Sequence, residues 1–358
     1  MKYFSMLIKP ASSRCNLKCK YCFYHDVSNH RYVKDYGIMD TNTSVLLIDN
    51  VLNTFNEKVS ISFAFQGGEP MLAGLDYFEQ FVSYAEKNKK QYHHISYSIQ
   101  TNATLIDENW CRFFSKHNFL VGVSLDGYQE INDFYRGANT FNKITNAIKT
   151  LEMWQIKFNI LTVLTEKLAQ HPNQLYNFYK TNGLNNIQLI PCLSSLDDDE
   201  IEHLKPKTFY TFYNNFYDLW YSDLKQGYYM SIQFFDDTIR LFKGLLPYQC
   251  GALGFCTIQY VIEADGSVYP CDFYVLDKYK MGNIKSDSII SLANSAVAKA
   301  FISESKQPCK QCEDCKFINI CHQKCKRVNI CYYNQDYCGL RLFLENNEAK
   351  LIQASKLL

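Results

Sequence analysis

Three cysteines near the N-terminus, Cys15, Cys19 and Cys22, have the residue type and spacing of cluster ligands. Thiolates spaced C-x3-C-x2-C on one loop can each bind a different iron of one iron–sulfur cubane. Such clusters are normally held by four cysteines, so a triplet leaves one iron without a protein ligand. An open position of that kind is typical of catalytic metal centres. Zinc is the alternative, with His25 as the nearest fourth ligand at a less natural spacing.

Cysteine is dense elsewhere in the chain as well: ten of the fifteen cysteines lie between positions 250 and 338. Such density indicates either disulfides or metal ligands. Disulfides are concentrated in small secreted domains, whereas 358 residues with 47% hydrophobic content can bury a large core. The N-terminal apolar run is too short for a signal peptide, and no stretch approaches the ~20 apolar residues that span a bilayer. We therefore expect a cytoplasmic protein without membrane contact, whose thiolates bind metal.

The overall charge argues against one class of partner. The net charge is +1 and the isoelectric point is 7.4, with both signs mixed along the chain. Nucleic-acid-binding proteins usually carry a basic patch or stripe. The sequence therefore predicts no nucleic-acid partner.

The cysteines must be positioned by the elements of the first two-thirds of the chain, where apolar runs alternate with amphipathic stretches. The predicted strands are Phe4–Ile8, Ser60–Phe65, His94–Ile99, Leu120–Ser124, Phe158–Val163 and Ile187–Ile190. The predicted helices are 43–57, 75–89, 107–117, 140–153 and 170–181. Alternation of this kind implies a parallel sheet with helices on its outer face. Six units are too few for a closed eight-fold barrel, so the predicted fold class is α/β with a partial (β/α)6 barrel.

The remaining third has a different character. Aromatic residues at helical spacing predict a helical bridge over 205–246. Asp265-Gly266 between alternating apolar residues predicts a hairpin. The predicted domains are therefore a barrel over 1–204, the bridge, and a cysteine-rich module with a C-terminal helix over 247–358. Modules of this kind are held together by their inorganic centres more than by a core.

The N-terminal motif has a known counterpart. The pattern C-x3-C-x-aromatic-C, with Tyr21 as the aromatic residue, resembles the signature of the radical S-adenosylmethionine (radical SAM) superfamily. The resemblance implies that the amino and carboxylate groups of SAM chelate the open iron of a [4Fe–4S] cluster. One electron then cleaves SAM, and the resulting 5′-deoxyadenosyl radical abstracts a hydrogen atom from the substrate.

Further motifs of that superfamily are found in the expected order. The segment containing Gly68 and Glu69 resembles the Gly-Gly-Glu-Pro motif that meets the SAM amino group, where glycine permits close backbone approach. Ser124, at a strand end, matches the residue that contacts the ribose. Arg136 matches the arginine that pairs with the SAM carboxylate, for which an Arg fork is well suited. Leu193 is expected over the adenine, and Tyr21 near the cofactor.

The C-terminal cysteines resemble those of the SPASM domain, which carries two auxiliary [4Fe–4S] clusters. The resemblance implies four ligands for each cluster, and so three clusters in the whole chain. The nearer auxiliary cluster is assigned Cys250, Cys256, Cys271 and Cys325, and the outer one Cys312, Cys315, Cys321 and Cys338. Cys111, Cys192, Cys309 and Cys331 remain; the first two lie in apolar segments and are expected to be buried thiols. Cys309 opens a second C-x2-C frame, and the Cys312 frame is preferred because it keeps the later spacings in register.

Nearly the whole chain resembles the anaerobic sulfatase-maturating enzymes, which oxidise a Cys or Ser of a sulfatase to Cα-formylglycine. The segment from Asp265 to Lys278 carries the most specific part of this resemblance. It implies that Asp272 is the catalytic base, which must reach the thiol or hydroxyl proton of the substrate. The implied partners are a peptide or protein substrate and an electron donor such as flavodoxin or ferredoxin.

Some segments depart from that family's pattern and leave alternatives open. The spacer between Cys321 and Cys325 lacks the usual two glycines, and the loop between Cys250 and Cys256 lacks the usual Met-Asn. A maturase of a ribosomally synthesised peptide, forming a thioether, a carbon–carbon link or another oxidation, is therefore the second hypothesis. A zinc-ribbon binding protein without catalysis is the third.

Overall fold

The structure, a computed structural model, describes residues 2–197, 203–304 and 309–358. Its strands are β1 Lys2–Ile8, β2 Val59–Phe65, β3 His93–Thr101, β4 Leu120–Ser124, β5 Phe158–Leu164, β6 Asn186–Pro191, β7 Ser231–Ile232, β8 Val261–Ile262, β9 Ser267–Tyr269 and β10 Gly282–Asn283. Its helices are α1 Phe23–Asn29, α2 Thr41–Thr54, α3 Leu75–Asn88, α4 Glu108–Lys116, α5 Gln129–Arg136, α6 Thr140–Met153, α7 Pro172–Thr181, α8 Pro206–Lys225, α9 Gln233–Phe242, α10 Ile289–Ala293, α11 Ala296–Ser303, α12 Ile318–Cys321 and α13 Gly339–Leu357. All six predicted strands and all five predicted helices are therefore confirmed, with bounds that differ by a few residues.

The chain divides into two compact units, each made of separate segments. The first comprises Met1–Ser124, Arg136–Phe158 and Thr257–Glu304. The second comprises Leu125–Tyr135, Asn159–Cys256 and Ser305–Leu358.

The first unit is built on parallel strands in the order β8-β1-β2-β3-β4, extended beyond β8 by β9 and β10. Their register is the feature that matters for chemistry. Ile8 pairs with both Phe65 and Ile262, so β1, β2 and β8 end at the same level. Carboxyl ends of parallel strands form one edge, where ligands of α/β proteins usually bind. The residues that follow these strands are therefore neighbours, although they are far apart in sequence.

The strands β8 and β9 of this sheet form a hairpin, as predicted. β8 and β9 are antiparallel, and Gly266 in the turn has a φ of +88°, a conformation that glycine adopts without strain. The Asp265 carboxylate accepts the N–H of Ser267 at 2.9 Å and so fixes the turn. The chain then leaves β9 directly into Cys271 and Asp272.

The second unit contains the parallel strands β5, β6 and β7, together with the predicted helical bridge and the predicted C-terminal helix. The bridge is two helices, α8 and α9, because the chain turns at Gly227. The aromatic residues of α8 are buried except for Tyr210, and both bridge helices pack against α13. Each buried aromatic side chain stabilises the fold by ~1.5–3 kcal/mol. From Cys309 to Cys338, by contrast, the chain forms single turns of helix and one isolated β-bridge between Tyr333 and Cys338.

Among the described residues, no helix has the length and apolar character needed to cross a membrane.

Candidate active site

The first cysteine loop connects β1 to α1. Cys15 is exposed, and Cys19 and Cys22 are half-buried, so none of the three thiols is sealed inside the core. The Cys22 sulfur caps α1 by accepting the N–H of His25 at 3.4 Å. The Cys15 sulfur accepts the N–H of Leu17 at 3.4 Å. Hydrogen bonds from backbone N–H groups to sulfur are a normal outer shell of iron–sulfur clusters, so the residues present fit such a group.

The zinc alternative fits this loop less well. Within the described ranges, no three Cys, His, Asp or Glu side chains converge as they would around a single ion. His25, the candidate fourth ligand, has its Nδ1 3.2 Å from the Asn29 amide. A cubane does not need such convergence, because each thiolate binds a different iron.

Gly68 holds the cysteine loop against the end of β2. The Gly68 N–H donates to the Ser12 carbonyl at 2.9 Å, and the Glu69 N–H donates to the Arg14 carbonyl at 2.6 Å. A Cβ added at Gly68 would lie 1.9 Å from the Arg14 carbonyl oxygen, which no side chain can tolerate. Glycine is therefore required here by the approach of the loop backbone, in addition to any contact with a cofactor.

The Glu69 carboxylate lies fully buried between β2 and β3. Its oxygens accept hydrogen bonds from the Thr101 hydroxyl at 2.7 Å and from the N–H groups of Met71 and Asn102 at 3.1 and 2.8 Å. Burial raises the pKa of Glu69 to about 7. These hydrogen bonds connect the ends of β2 and β3. The Glu69 carboxylate therefore already accepts hydrogen bonds from groups of the chain itself.

Asn102 extends this arrangement to the cysteine loop. Its side-chain amide donates to Asn16 Oδ1 at 2.8 Å and lies 3.8 Å from the Cys15 sulfur. Asn102 was not among the predicted site residues. It follows the end of β3, the position from which a polar side chain reaches the same sheet edge.

The predicted SAM-contacting residues lie in both units. In the first, Tyr21 and Arg136 are buried, and the Arg136 guanidinium carbon lies 5.6 Å from the centre of the Tyr21 ring. That distance is typical of a cation–π contact. Ser124 is buried at the carboxyl end of β4. In the second unit, Leu193 follows β6 and is buried.

Asp272, the predicted base, is held by two polar side chains that come from the ends of β1 and β2. Its Oδ1 lies 2.5 Å from Nζ of Lys9, and its Oδ2 accepts a hydrogen bond from the Gln66 amide at 2.8 Å. The Lys9 side chain is completely buried, while the Asp272 side chain keeps 11% of its exposure. Leaving one partner of a buried ion pair alone costs about 3–5 kcal/mol. Asp272 is therefore fixed in orientation, and only a small part of its side chain is exposed.

Neither Lys9 nor Gln66 was predicted as a site residue, although the sequence around Lys9 indicates a buried charge. Lys9 directly follows the apolar strand β1, and lysine is almost never fully buried unless it is paired. A lysine continuing a buried strand therefore indicates a carboxylate partner, whose identity depends on the β1–β8 pairing.

A second buried ion pair lies behind Lys9. Arg31 Nη1 is 2.6 Å from Glu263 Oε1, and both side chains are completely buried. The Tyr24 hydroxyl donates to the same carboxylate, and the Tyr24 ring lies 3.5 Å from Lys9 Nζ. Burial and the adjacent Glu263 carboxylate raise the pKa of Tyr24 well above its usual value. The cations Lys9 and Arg31 and the anions Asp272 and Glu263 thus form one buried network with no net charge.

In the second unit, the loop between Cys250 and Cys256 packs against the Cys325 region through two glycines. A Cβ at Gly254 would lie 2.0 Å from the His322 carbonyl oxygen, and one at Gly251 would lie 2.7 Å from the Cys325 side chain. Both glycines have positive φ angles. Glycine is thus required at two positions in the loop that departs from the family pattern.

Three of the assigned cysteines of the second unit have hydrogen bonds of the same type. The sulfurs of Cys321, Cys325 and Cys338 accept backbone N–H groups at 3.2–3.4 Å, and that of Cys338 also caps α13. The backbone between the first two is left-handed at His322, Gln323 and Lys324. Cys271 lies in the first unit, directly before Asp272.

Two cysteines left out of the ligand sets are buried thiols, as predicted. Burial raises the pKa of Cys111 to about 11 and that of Cys192 to about 12. Cys331 is also buried, and its thiol donates to the Cys192 carbonyl at 3.4 Å.

Comparison with known proteins agrees with this geometry. The profile of the radical SAM superfamily matches residues 10–178, and that of an iron–sulfur cluster-binding domain, SPASM, matches residues 255–316. The cysteine-type anaerobic sulfatase-maturating enzyme of Clostridium novyi is 43% identical over 372 residues, covering 100% of this chain and 99% of that protein. The chain belongs to the anaerobic sulfatase-maturating enzyme family.

Solved structures of that family share the fold of this chain. Native anSMEcpe with bound AdoMet has a TM-score of 0.92 at 39% identity and covers 99% of this chain and 100% of its own. The same protein with bound AdoMet and the Kp18Cys peptide has a TM-score of 0.91 at 38% identity, with the same coverage. The predicted fold class, a radical SAM α/β fold followed by a SPASM module, is confirmed, and the chain is a radical SAM enzyme.

Proposed function

We propose that this enzyme oxidises the cysteine of a sulfatase peptide to Cα-formylglycine, with Asp272 as the base. The proposal is supported by the 43% identity to a cysteine-type family member and by the peptide bound in the related solved structure. The observation that carries it is the Asp272 carboxylate, which Lys9 and Gln66 hold at the sheet edge with part of its surface accessible.

The residues of this chain have distinct parts in the proposed reaction. When bound, SAM and its cluster would supply the radical that removes a hydrogen atom from the substrate Cβ, and the auxiliary clusters would supply an electron acceptor. Asp272 accepts the thiol proton of the substrate as one electron leaves, which gives a thioaldehyde. Water then converts the thioaldehyde to the aldehyde and releases the sulfur as hydrogen sulfide. The Lys9 ammonium stabilises the charged carboxylate beforehand, and the Gln66 amide fixes its plane. A base held in this way needs no reorganisation when the proton is transferred.

The cofactor assignments belong to the same proposal. Cys15, Cys19 and Cys22 would hold the SAM-binding cluster, and the eight assigned cysteines of the SPASM module the two auxiliary clusters, giving three in all. Tyr21, Gly68, Glu69, Ser124, Arg136 and Leu193 would contact SAM. Flavodoxin or ferredoxin is the proposed electron donor.

Asp272→Asn tests the base assignment. Asparagine has nearly the same shape but cannot take up the substrate proton. We expect anaerobically reconstituted enzyme to keep cleaving SAM while formylglycine formation falls by about 10²–10⁴-fold. The measurement is mass spectrometry of a sulfatase-motif peptide, alongside chromatography of 5′-deoxyadenosine.

Asp277→Asn is the matched control. Asp277 is five residues away and accepts the N–H of Tyr32 at 2.9 Å. We expect this variant to form product at nearly the normal rate. Normal product from Asp272→Asn would disprove the base assignment, whereas a product of another mass from the unaltered enzyme would disprove the formylglycine reaction.

A further inference from the structure

The segment between α9 and Cys250 exposes a group of large apolar side chains. Leu246 and Tyr248 keep 70% and 75% of their exposure, and Leu245 keeps 47%. All three lie within four positions of the chain, shortly after the end of α9. Single exposed apolar residues are ordinary, whereas contiguous groups of them mark interaction sites. This group therefore indicates a surface that binds a partner.

Two cations border the apolar group. The Arg240 guanidinium donates to the Leu246 carbonyl at 2.8 Å, and its carbon lies 4.0 Å from the centre of the Tyr248 ring. Lys243 is exposed at the position that follows the last residue of α9. The sequence contains no Asp or Glu from position 238 to position 262. The docking surface, which we define as Arg240, Lys243, Leu245, Leu246 and Tyr248, is thus apolar and positively charged.

The nearest carboxylates that precede this surface along the chain are engaged by groups of the protein itself. Asp237 is buried and accepts the N–H groups of Tyr248 and Gln249 at 2.6 and 3.0 Å. Asp236 accepts hydrogen bonds from two neighbouring hydroxyl groups at 2.8 and 2.6 Å. Asp237 therefore fixes the backbone of the docking surface, and its charge faces inward.

The docking surface leads directly into a loop that carries assigned cluster ligands. Cys250 is exposed and lies two positions after Tyr248. Through its two glycines, the loop contacts the segment 322–325, which lies between ligands assigned to different auxiliary clusters. Electron transfer requires the close approach of two redox groups. An exposed surface beside assigned cluster ligands is therefore suited to a protein that carries electrons.

We propose that the docking surface binds an acidic one-electron carrier protein. The proposal rests on the proposed function and on its assignment of the auxiliary-cluster ligands. Acidic groups of the carrier would face Arg240 and Lys243, and charge complementarity of this kind steers association. Complexes of redox proteins bury little surface, which a patch of five residues can supply. A second copy of this chain is a poorer partner, because a two-fold contact would place the same cations on both sides.

Binding of the carrier can be measured without turnover. Oxidised acidic flavodoxin and oxidised acidic ferredoxin are each titrated by calorimetry into anaerobically reconstituted enzyme. We expect at least one of them to bind, with an affinity that falls from about 50 mM to about 300 mM salt, because salt screens exposed charges. Lys243→Glu should weaken binding about tenfold, and Leu246→Ser should weaken it by a similar factor.

Lys225→Glu is the matched control. Lys225 is the exposed last residue of α8 and lies in the same unit, so this variant makes the same charge change at the end of a helix. We expect it to bind the carrier with normal affinity. The iron content of each variant confirms that it has folded and been reconstituted.

Three results would overturn the proposal. The first is that neither carrier binds the unaltered enzyme, and the second is that Lys243→Glu binds as well as Lys225→Glu does. The third is a dimer of the enzyme alone that Leu246→Ser dissociates in analytical ultracentrifugation, since a second copy would then cover the surface. The titration contains no peptide, so its outcome is independent of whether the enzyme forms formylglycine.

Discussion

Each of the two cysteine regions is contacted by a glycine without room for a side chain, yet the surroundings of those glycines differ. Gly68 lies against the backbone beside Cys15, and Gly254 lies against the backbone beside Cys321. Behind Gly68 are the ends of β2 and β3, joined by the fully buried Glu69 carboxylate. Behind Gly254 there are short turns and left-handed residues.

This difference indicates how each region reaches its final shape. The first loop is positioned by a sheet whose core is independent of any metal, so the chain itself arranges the three thiols. Residues 309–338 have little regular structure of their own, and metal binding supplies folding free energy in such modules. The same residue type, cysteine, thus occupies a preformed site in one place and helps to form the site in the other.

The largest expected effects come from filling the two glycine positions. Gly68→Ala should displace the first cysteine loop, with loss of its cluster and of all SAM cleavage. Gly254→Ala should lose auxiliary iron while SAM cleavage persists. Overpacking of this kind costs at least about 1–3 kcal/mol. Iron content and 5′-deoxyadenosine formation measure both outcomes.

Gly74→Ala is the control for these variants. Gly74 has a positive φ of +85°, like Gly254, but no atom lies within 4 Å of an added Cβ. We expect it to keep all its iron. Equal loss of SAM cleavage in the Gly68 and Gly254 variants would remove the distinction between the two regions.

Removal of iron should change amide hydrogen exchange differently in the two cysteine regions, with a smaller effect than the glycine substitutions. After anaerobic chelation, amide hydrogen exchange in residues 309–338 should become at least about a hundredfold faster, because these turns lose the ligands that hold them. The amides of Gly68 and Glu69 should stay protected, since their hydrogen bonds lie at the end of β2, in a sheet that packs without metal. The helix α8 serves as an internal reference. Uniform loss of protection in both regions would contradict the comparison.

The smallest expected effect is a pH dependence of stability that arises from Glu69. Its pKa is about 7 in the folded protein and about 4.3 in an unfolded chain. Between these values the folded state binds more protons, so the free energy of unfolding falls as pH rises. From pH 6 to pH 8 the fall should be about 1 kcal/mol.

Glu69→Gln should remove this contribution. Urea unfolding at pH 6 and pH 8 measures the difference, with exposed Glu108→Gln as the control. An identical pH dependence in the unaltered protein and the Glu69 variant would show that the carboxylate is ionised throughout.

The sequence was most informative where a pattern repeats along the chain. Alternating apolar runs predicted the parallel strands, and Asp265-Gly266 predicted the hairpin that leads to Asp272. Helix α1 was missed because its cap is the sulfur of Cys22, whereas cap rules are based on Ser, Thr, Asp and Asn. The split of the bridge into α8 and α9 was missed because one glycine seldom decides a helix end.

The surroundings of the base were predictable only in part. Asp272 was assigned from a family resemblance, but Lys9 and Gln66 are more than 200 positions away along the chain. Their meeting depends on the level at which Ile8 pairs with Phe65 and Ile262. A shift of one residue in that register would turn each side chain to the opposite face. The domain boundaries at 204 and 246 stay a prediction.

Helix α1 has a consequence for protein engineering. It begins at a cluster ligand, Cys22, and two residues later presents the ring that lies over Lys9. Two residues past its end is Arg31, which pairs with Glu263. A graft of the three cysteines alone into another scaffold would leave the ring and the buried charges behind. Residues 9–31 therefore form the smallest segment worth transplanting, and it needs a recipient strand that supplies the glutamate.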